Sequence, residues 1–227
     1  MNITDIIGDE VFAEIRTKEC IYNSIVLSAV ESIFSIQAKF DAMVKPLVIR
    51  FAKRQAKMKD ICVDDYAPAE FMKDLGGKVF DDVVIKEVFG NLQLTSSKNG
   101  IRKGDAVKQV VSMLNRHGIQ TRKDLLSSSK LTEIEKDWRA IKGQGSGITW
   151  RYFLMLCGEN AYFKDDTWMY RFFIDKLRYN DIRKNNDFNK LKAAFDAEYE
   201  KVKTVYPDIT KSRLDFVIWK YMTTKTK

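Results

Sequence analysis

The chain has 227 residues, of which 45% are hydrophobic and 31% are charged, a composition that excludes an intrinsically disordered chain. This length accommodates one or two closely packed domains. Lysine and arginine outnumber the acidic residues and leave a net charge of +8. Such an excess is typical of a protein that binds a polyanion such as nucleic acid, although it can also serve solubility alone.

Cysteine usage and the pattern of apolar runs predict where the protein resides. Cys20, Cys62 and Cys157 are scattered and form no Cys-x-x-Cys pair, so we expect no disulfide framework and a reducing compartment. The N-terminus is acidic, unlike that of a secretory signal peptide, and Glu31 interrupts the longest apolar run. We therefore predict a cytoplasmic, nucleoid-associated protein with no membrane partner.

Apolar residues recur at helical spacing along the chain, so the predicted fold class is all-α. The predicted helices cover residues 1–18, 20–59, a short segment after Pro68, 80–89, 105–117, 131–140, 148–157, 166–179, 187–205 and 213–222. Pro46 is predicted to begin a new helix within residues 20–59, because proline is tolerated in a first turn but not mid-helix. Residues 80–89 could form a strand by composition, but helix is preferred because the surrounding pattern is helical. Residues 94–104 and 121–129 are predicted to be polar loops.

The segment from Ala140 to Phe172 combines a glycine-rich turn with an aspartate at a helix start. The turn reads Lys-Gly-Gln-Gly-Ser-Gly over residues 142–147 and separates two helical patterns. A short polar loop follows the second helix, and Asp165-Asp166-Thr167 begins another helical pattern. A turn between two helices points backbone N–H groups at one spot, and its glycines let a phosphate approach closely.

This arrangement resembles the helix–hairpin–helix DNA glycosylase superfamily, the base-excision repair enzymes related to endonuclease III. The hairpin of that superfamily reads roughly Leu-Pro-Gly-x-Gly, and residues 141–145, Ile-Lys-Gly-Gln-Gly, correspond to it. Its aspartate box is similar to Val-Asp-Thr-His, and residues 165–168, Asp-Asp-Thr-Trp, take that place. The comparison extends from about Tyr22 to Tyr221.

The resemblance implies a single unit of two helical lobes with a DNA-binding cleft between them. A hairpin-bearing barrel lobe would span roughly residues 22–165. A second helical lobe would be formed by residues 1–21 and 166–227.

The resemblance also implies which residues hold DNA. The hairpin would bind the phosphate backbone through Lys142, Gly143, Gln144, Gly145, Ser146 and Gly147. Gln37 lies in a segment similar to the superfamily's Leu-Ser-Gln-x-Thr and would fill the gap left by an extruded base. The backbone carbonyls of Ile141 and Gln144 would hold a monovalent cation, Na⁺ or K⁺, that bridges to phosphate. The alternatives are a purely structural glycine turn and an exposed helix glutamine.

Asp166 takes the place of the catalytic aspartate. Cleavage of an N-glycosidic bond builds positive charge on the sugar, and a nearby carboxylate stabilises that charge and activates water. The alternative is that Asp166 or Asp165 only caps the next helix. Trp138, Trp150 and Trp168 are candidates to stack on the flipped base, although most aromatic residues at helical spacing lie in the core.

Departures from the superfamily pattern narrow the implied chemistry. Gly147 stands where bifunctional relatives carry a Schiff-base lysine, so a monofunctional glycosylase with water as the nucleophile is implied. Trp168 replaces the usual histidine, which reshapes the implied base pocket. No cysteine follows Cys157, so the iron–sulfur cluster of several relatives is not expected, and no cofactor is required. The implied partner is double-stranded DNA containing a lesion, bound by a monomer.

Two other functions are compatible with the same sequence pattern. The chain could be a non-catalytic helix–hairpin–helix protein that recognises damaged or abasic DNA, since Trp168 and the missing lysine depart from the catalytic pattern. It could also be a helical protein-interaction domain whose charge is incidental. Salt-sensitive DNA binding separates the last hypothesis from the others.

Overall fold

The computed structural model describes residues 3–8, 12, 22–159, 161–183 and 187–224. In these ranges the chain is helical, with no strand beyond an isolated bridge between Leu94 and Arg102, so the predicted all-α class is confirmed. No helix of the described ranges has both the length and the apolar character needed to cross a membrane.

The chain divides into two compact units. Residues 21–159 form one, here called the middle unit, and residues 1–20 with 160–227 form the other, here called the terminal unit. The sequence prediction places these divisions after residues 21 and 165.

The helices are numbered in chain order. They are α1 (Ile3–Ile7), α2 (Ile25–Phe34), α3 (Lys45–Arg54), α4 (Pro68–Leu75), α5 (Asp82–Phe89), α6 (Lys103–Arg116), α7 (Arg122–Leu126), α8 (Leu131–Ala140), α9 (Ile148–Leu156), α10 (Thr167–Arg171), α11 (Phe188–Val205) and α12 (Lys211–Thr224). A π-helical turn, Phe40–Val44, precedes α3, and another, Phe172–Lys176, follows α10. Helices α1 and α10 to α12 belong to the terminal unit, and α2 to α9 belong to the middle unit.

Helix α2 lies at the centre of the middle unit. Every one of its residues is buried, as expected for a helix that is apolar on most sides. It packs against α3, α4, α6 and α9. The Ser24 side chain caps its first turn by accepting a hydrogen bond from the Leu27 N–H at 3.3 Å. The core of the middle unit is therefore built around one enclosed helix.

Glu31 is the charged residue of this enclosed helix, and tyrosine hydroxyls satisfy it. The Tyr22 hydroxyl donates to Glu31 Oε2 at 2.5 Å, and the Tyr152 hydroxyl donates to Glu31 Oε1. Burial, together with the charge of Glu31, raises the pKa of Tyr22 far above its ordinary value, so Tyr22 stays a donor. These bonds tie α2 to α9, because Tyr152 lies on α9.

Lys103, the first residue of α6, holds the chain where α2 ends. Its buried ammonium donates to the carbonyl oxygens of Phe34 at 3.1 Å and Ile36 at 2.5 Å, and to Gln93 Oε1 at 3.1 Å. Burial lowers the pKa of Lys103 to about 8. The three oxygen acceptors match the three donors of an ammonium group, and the end of a helix favours a cation.

Arg122, the first residue of α7, joins the two ends of the middle unit. Its Nε donates to the Cys157 carbonyl oxygen at 2.8 Å, and its Nη1 donates to the Tyr22 carbonyl oxygen at 3.1 Å. A single guanidinium group therefore binds backbone near the start and near the end of residues 21–159.

The terminal unit packs its helices through aromatic rings and a paired aspartate. The Phe163 and Phe195 rings stack with their centroids 4.1 Å apart. Asp196 on α11 accepts a hydrogen bond from Lys192 at 2.6 Å and another from Lys211 at 2.6 Å. Burial raises the pKa of Asp196, but the two lysines outweigh that effect and the pKa lies below its ordinary value. Because Lys211 begins α12, this cluster joins α11 to α12.

Several predicted helix boundaries are confirmed. Pro46 lies in the first turn of α3, and a short helix begins at Pro68. Residues 82–89 are helical, so the alternative of a strand there is wrong. Helix α8 covers the predicted residues 131–140.

Other predicted boundaries are wrong. Residues 20–59 are not one helical region, since α2 ends at Phe34 and Gln37 takes a left-handed conformation with φ +48°. The predicted loop 121–129 contains α7, which a reciprocal capping box of Thr121 and Asp124 begins. The helix predicted for residues 166–179 runs from 167 to 171 and continues as a π-helical turn to 176. Helix α1 ends at Ile7, and most of predicted helix 1–18 lies outside the described residues.

The prediction about the cysteines is also corrected. Cys62 is disulfide-bonded, which contradicts the expectation that the cysteines form no disulfide framework. Cys157 is free and buried, and burial raises the pKa of its thiol to about 12. Cys20 lies outside the described residues. The predicted reducing compartment therefore loses its support from the cysteines.

The arrangement of Lys103 leads to a stability prediction. We expect Lys103→Met to lower the free energy of unfolding by about 2–4 kcal/mol, because it leaves buried carbonyl oxygens without a donor. Urea denaturation followed by circular dichroism measures this change. Lys86→Met, at an exposed position on α5, is the control and should change stability by less than about 0.5 kcal/mol. Equal stability of Lys103→Met and wild type would contradict a structural role for the ammonium group.

Candidate functional site

Residues 141–147, here called the glycine turn, connect α8 to α9. The Gln144 N–H donates to the Ile141 carbonyl oxygen at 2.9 Å, and the Gly147 N–H donates to the Gln144 carbonyl oxygen at 3.1 Å. Gly143 has φ +89° and Gly147 has φ +74°, a left-handed conformation that glycine adopts without steric cost. The turn therefore needs glycine at these two positions, as its sequence pattern predicts.

The glycine turn presents unused backbone donors to solvent. Lys142, Gly143, Gly145 and Ser146 are all exposed. Within the described part of the chain, the backbone N–H groups of these residues have no hydrogen-bond partner. Clustered backbone N–H groups in a turn form a concave site that binds anions. The turn is therefore chemically suited to a phosphate group.

Two arginine side chains form hydrogen bonds with carbonyl oxygens of the glycine turn. Arg139 donates to the Gly145 carbonyl oxygen from both Nε, at 3.2 Å, and Nη2, at 3.0 Å. Arg151 Nη2 lies 3.5 Å from the Ser146 carbonyl oxygen. Both guanidinium groups fix the turn. Arg139 also pairs with Glu135 Oε1 at 3.3 Å, which offsets part of the positive charge that it places beside the N–H donors.

These arginines bear on the predicted cation site at the carbonyls of Ile141 and Gln144. Each of these two oxygens already accepts a hydrogen bond within the turn. The neighbouring carbonyls are occupied by guanidinium groups, which repel a cation. The residues present therefore do not fit Na⁺ or K⁺ well. Among the described residues, no group of His, Cys, Asp and Glu side chains is placed to hold a metal ion either.

The Gln144 side chain anchors the turn to the core instead of facing outward. It is fully buried, and its Oε1 accepts a hydrogen bond from the Thr149 hydroxyl at 2.6 Å. Thr149 Oγ1 in turn accepts a hydrogen bond from Trp138 Nε1 at 3.1 Å. Because the side chain is buried, any contact of Gln144 with DNA has to come from its backbone, and the predicted role of Gln144 in binding phosphate stays a prediction.

Two of the predicted base-stacking residues are core residues. Trp138 and Trp150 are 0% and 1% exposed. Trp138 stacks on Phe153 with ring centroids 4.6 Å apart and lies 5.4 Å from Trp150. Neither indole offers a face to a base, so their assignment to a base pocket is wrong. Trp168 is half-buried, and the Arg171 guanidinium lies 5.4 Å from the centre of its ring.

Gln37 occupies an exposed turn after α2, not a helix face. Its φ of +48° is unusual for glutamine, and the carbonyl oxygen of the preceding residue, Ile36, accepts a hydrogen bond from Lys103. The side chain projects from a fixed backbone in the middle unit. The proposed role of Gln37 beside an orphaned base stays a prediction.

Asp166 is the N-cap residue of α10. Its Oδ1 accepts hydrogen bonds from the backbone N–H groups of Trp168 at 2.9 Å and Met169 at 3.2 Å. Lys164 Nζ lies 3.8 Å from Asp166 Oδ2, and the Asp166 side chain is 25% exposed. The capping alternative considered from the sequence is therefore correct, and Oδ2 is the oxygen left to act on a ligand.

Asp215 on α12 is a second carboxyl group beside Asp166 that the sequence analysis did not identify. It is buried, and its Oδ1 accepts a hydrogen bond from the Lys164 N–H at 3.1 Å. Burial, and then the charge of Asp166, raises the pKa of Asp215 well above its ordinary value. The available signal was its position between apolar residues at helical spacing, Leu214, Val217 and Ile218, all of which are buried.

An open cavity of about 570 Å³ lies elsewhere in the middle unit. It is lined by Asn23, Arg122, Lys123, Leu126 and Ser127. None of these is a predicted site residue, so the cavity does not correspond to the base pocket expected from the sequence.

Comparison with known proteins places the chain in a family. Residues 9–223 match a family described as a domain of unknown function (DUF8548), and because this match covers nearly the whole chain, the protein belongs to that family. No curated protein and no solved structure matches the chain.

The raised pKa of Asp215 leads to a pH-dependence prediction. Because the folded state holds the proton more tightly than the unfolded chain, the stability that this group contributes is full below the ordinary aspartate pKa near 4 and decreases as the pH rises from there toward the raised pKa. Asp215→Asn removes this titration and keeps the acceptor for the Lys164 N–H. We therefore expect the urea midpoint of Asp215→Asn, relative to wild type, to rise between pH 4 and pH 7.

The control is Asp208→Asn, at an exposed position in the terminal unit. Its midpoint relative to wild type should not rise in the same way. A difference between Asp215→Asn and wild type that stays constant with pH would show that Asp215 is not protonated in the folded protein.

Proposed function

We propose that this protein is a DNA glycosylase of the helix–hairpin–helix type, which hydrolyses the N-glycosidic bond of a damaged or modified base flipped from duplex DNA. The observation that carries the proposal is the glycine turn with its exposed, unpartnered N–H groups flanked by Arg139 and Arg151. Such a turn binds the DNA backbone and reads no sequence, as a repair enzyme that scans duplex DNA requires. The all-α fold supports the same proposal.

In the proposed reaction Asp166 acts on the sugar of the extruded nucleotide. The bond between C1′ and the base nitrogen breaks, and its electron pair leaves with the base. The Asp166 carboxylate stabilises the positive charge that develops on the sugar and accepts a proton from the attacking water. The water oxygen then forms the new bond to C1′. Oδ2 performs this role, because Oδ1 is held by the helix N-terminus.

The residues near Asp166 and at position 147 define the kind of reaction proposed. Burial, and then the charge of Asp166, raises the pKa of Asp215 well above its ordinary value, which favours the neutral form of this neighbouring carboxyl group. Gly147 cannot form a Schiff base, so the proposed enzyme is monofunctional and leaves the strand intact. Trp168 is the predicted aromatic residue that retains some exposure, and we propose that it borders the base.

A second candidate function is DNA binding without catalysis. The burial of Trp138 and Trp150 favours it, since two of the residues expected to stack on a base belong to the core. A protein of this kind would bind abasic or damaged duplexes through the glycine turn and release no base. The alternative and the enzyme share the glycine turn and differ in the role of Asp166.

Substitution of Asp166 tests the chemistry. We expect Asp166→Asn to reduce base release by at least about a hundredfold, because an amide cannot stabilise the cationic sugar or accept the proton from water. Asparagine caps helices as well as aspartate does, so the fold is kept. The assay incubates duplexes with varied lesions and then cleaves abasic sites with alkali.

Asp81→Asn is the matched control, because Asp81 caps α5 through the N–H groups of Val83 and Val84 in the same way. Its base release should equal that of wild type. If Asp166→Asn is as active as wild type, the aspartate mechanism is wrong. If wild type binds abasic DNA but releases no base from any lesion, the non-catalytic alternative is correct.

Substitutions in the glycine turn separate DNA binding from folding. A Cβ atom at Gly145 would meet nothing closer than the Arg139 carbonyl oxygen at 3.9 Å, so Gly145→Ala should fold normally. Because the added methyl group stands where a phosphate would approach, we expect duplex binding to be roughly tenfold weaker. This corresponds to a loss of about 1.4 kcal/mol in binding free energy. Fluorescence anisotropy measures the binding, and thermal denaturation verifies the fold.

Gly143→Ala is the comparison variant. Its Cβ atom would lie 2.4 Å from Thr95 Oγ1, and its φ of +89° is unfavourable for alanine. We expect a loss of about 1–3 kcal/mol in stability. Unchanged duplex binding by a folded Gly145→Ala would refute the role of the turn in holding phosphate.

A further inference from the structure

Residues 94–102, here called the polar loop, pack directly against the glycine turn. A methyl group on Gly143 would lie 2.4 Å from Thr95 Oγ1 and 2.6 Å from Thr95 Cβ. Thr95 itself is 3% exposed. The backbone of the turn therefore rests on the polar loop, and the two segments form one continuous piece of surface in the middle unit.

Local hydrogen bonds make the polar loop rigid. The Thr95 N–H donates to the Ile101 carbonyl oxygen at 2.8 Å, and the Ile101 N–H donates to Thr95 Oγ1 at 3.2 Å. The Ser96 hydroxyl donates to the Lys98 carbonyl oxygen at 2.6 Å. Gly100 has no room for a side chain, because a Cβ atom there would lie 2.4 Å from the Ser96 carbonyl oxygen.

Arg102, the last residue of the polar loop, forms hydrogen bonds with residues outside the loop. Its guanidinium group donates to both Asp82 carboxylate oxygens, at 2.8 and 2.6 Å, and to the Leu92 carbonyl oxygen at 2.6 Å. The conformation of the loop is therefore fixed before any ligand arrives. A preorganised loop binds without a further cost in conformational entropy.

The tip of the polar loop contributes nothing to the core. Ser97, Lys98 and Asn99 are all exposed, and Asn99 takes a left-handed φ of +58°. Lys98 makes no ion pair with any residue in the described ranges. A rigid, exposed and cationic tip is suited to binding an anionic partner.

The charged residues of the polar loop, the glycine turn and their immediate neighbours are all basic. Residues 91–104 and 138–151 contain no aspartate or glutamate. Their basic residues are Lys98, Arg102, Lys103, Arg139, Lys142 and Arg151. Lys98 and Lys142 are the exposed lysines of the set, one from each segment. Since phosphate groups recur along a nucleic-acid strand, a surface with cations on two touching segments can bind more than one of them.

We propose that the polar loop and the glycine turn form a composite phosphate-binding surface for duplex DNA, with Lys98 and Lys142 contacting different phosphate groups. The inference rests on the proposed function for its choice of DNA as the polyanion. It adds a binding element that the sequence analysis treated only as a connection. The loop supplies charge and backbone position, and it reads no base.

The test measures the salt dependence of binding to a short duplex by fluorescence anisotropy. Each phosphate contact changes the slope of log K against log salt by about 0.9. Lys98→Gln and Lys142→Gln should each lose one contact. The ratio of the wild-type binding constant to that of either variant should therefore fall roughly threefold between 50 and 200 mM salt. The slope of the double variant should be reduced by the sum of the two single reductions. Thermal denaturation should be unchanged, because both lysines are exposed.

Lys73→Gln, an exposed lysine on α4, is the control with the same change in net charge. It should keep the wild-type slope. If Lys142→Gln lowers the slope and Lys98→Gln does not, or if Lys73→Gln lowers it as much as Lys98→Gln does, the composite surface is wrong.

The outcomes for the two proposals are distinguishable. If Lys98 contributes to the slope but no lesion is processed, the composite surface stands and the glycosylase proposal falls. If bases are released while Lys98→Gln binds with the wild-type slope, only the composite surface falls. Absence of salt-dependent binding by wild type overturns both.

Discussion

The middle unit depends on enclosing a helix, α2, that has no exposed residue. Complete burial leaves the polar groups at the end of that helix without water, so Lys103 has to supply donors there. Lys103 begins α6 and also binds Gln93, which fixes the start of the polar loop. That loop supports the glycine turn through Thr95 and Gly143. The exposed turn is thus positioned by a chain of contacts that begins in the core.

The helices that could be predicted are those with strong local signals. Residues 131–140 are bounded by the glycine turn, and residues 45–54 begin beside a proline, so sequence neighbours alone set these boundaries. The break after α2 carries no glycine or proline, although Gln37 adopts a left-handed conformation there. Lys103, distant in sequence, binds the carbonyl oxygen of the adjacent Ile36. Such a break depends on tertiary contacts that no local pattern records.

Some features of the candidate site can likewise be predicted from local sequence, and others cannot. The glycine turn and the capping role of Asp166 follow from local backbone geometry. The sequence predicts the turn and offers the cap as the alternative role of Asp166. The inward direction of Gln144 does not follow, because an irregular turn has no periodicity to show which side chain faces the core. The burial of Asp215 next to Asp166 depends on the packing of α10 against α12, which are far apart in sequence. The catalytic role of Asp166 stays a prediction.

The hydrogen bonds of Arg122 have a consequence for how the chain is assembled. One guanidinium group touches backbone at Tyr22 and at Cys157, so the polypeptide leaves the middle unit beside the point where it entered. A continuous stretch whose ends meet behaves as an insertion that can be excised whole or closed into a ring without stretching its backbone. The gene segment for residues 21–159 is therefore suited to exchange as a module, and a circular permutant with new termini in an exposed loop should preserve its packing.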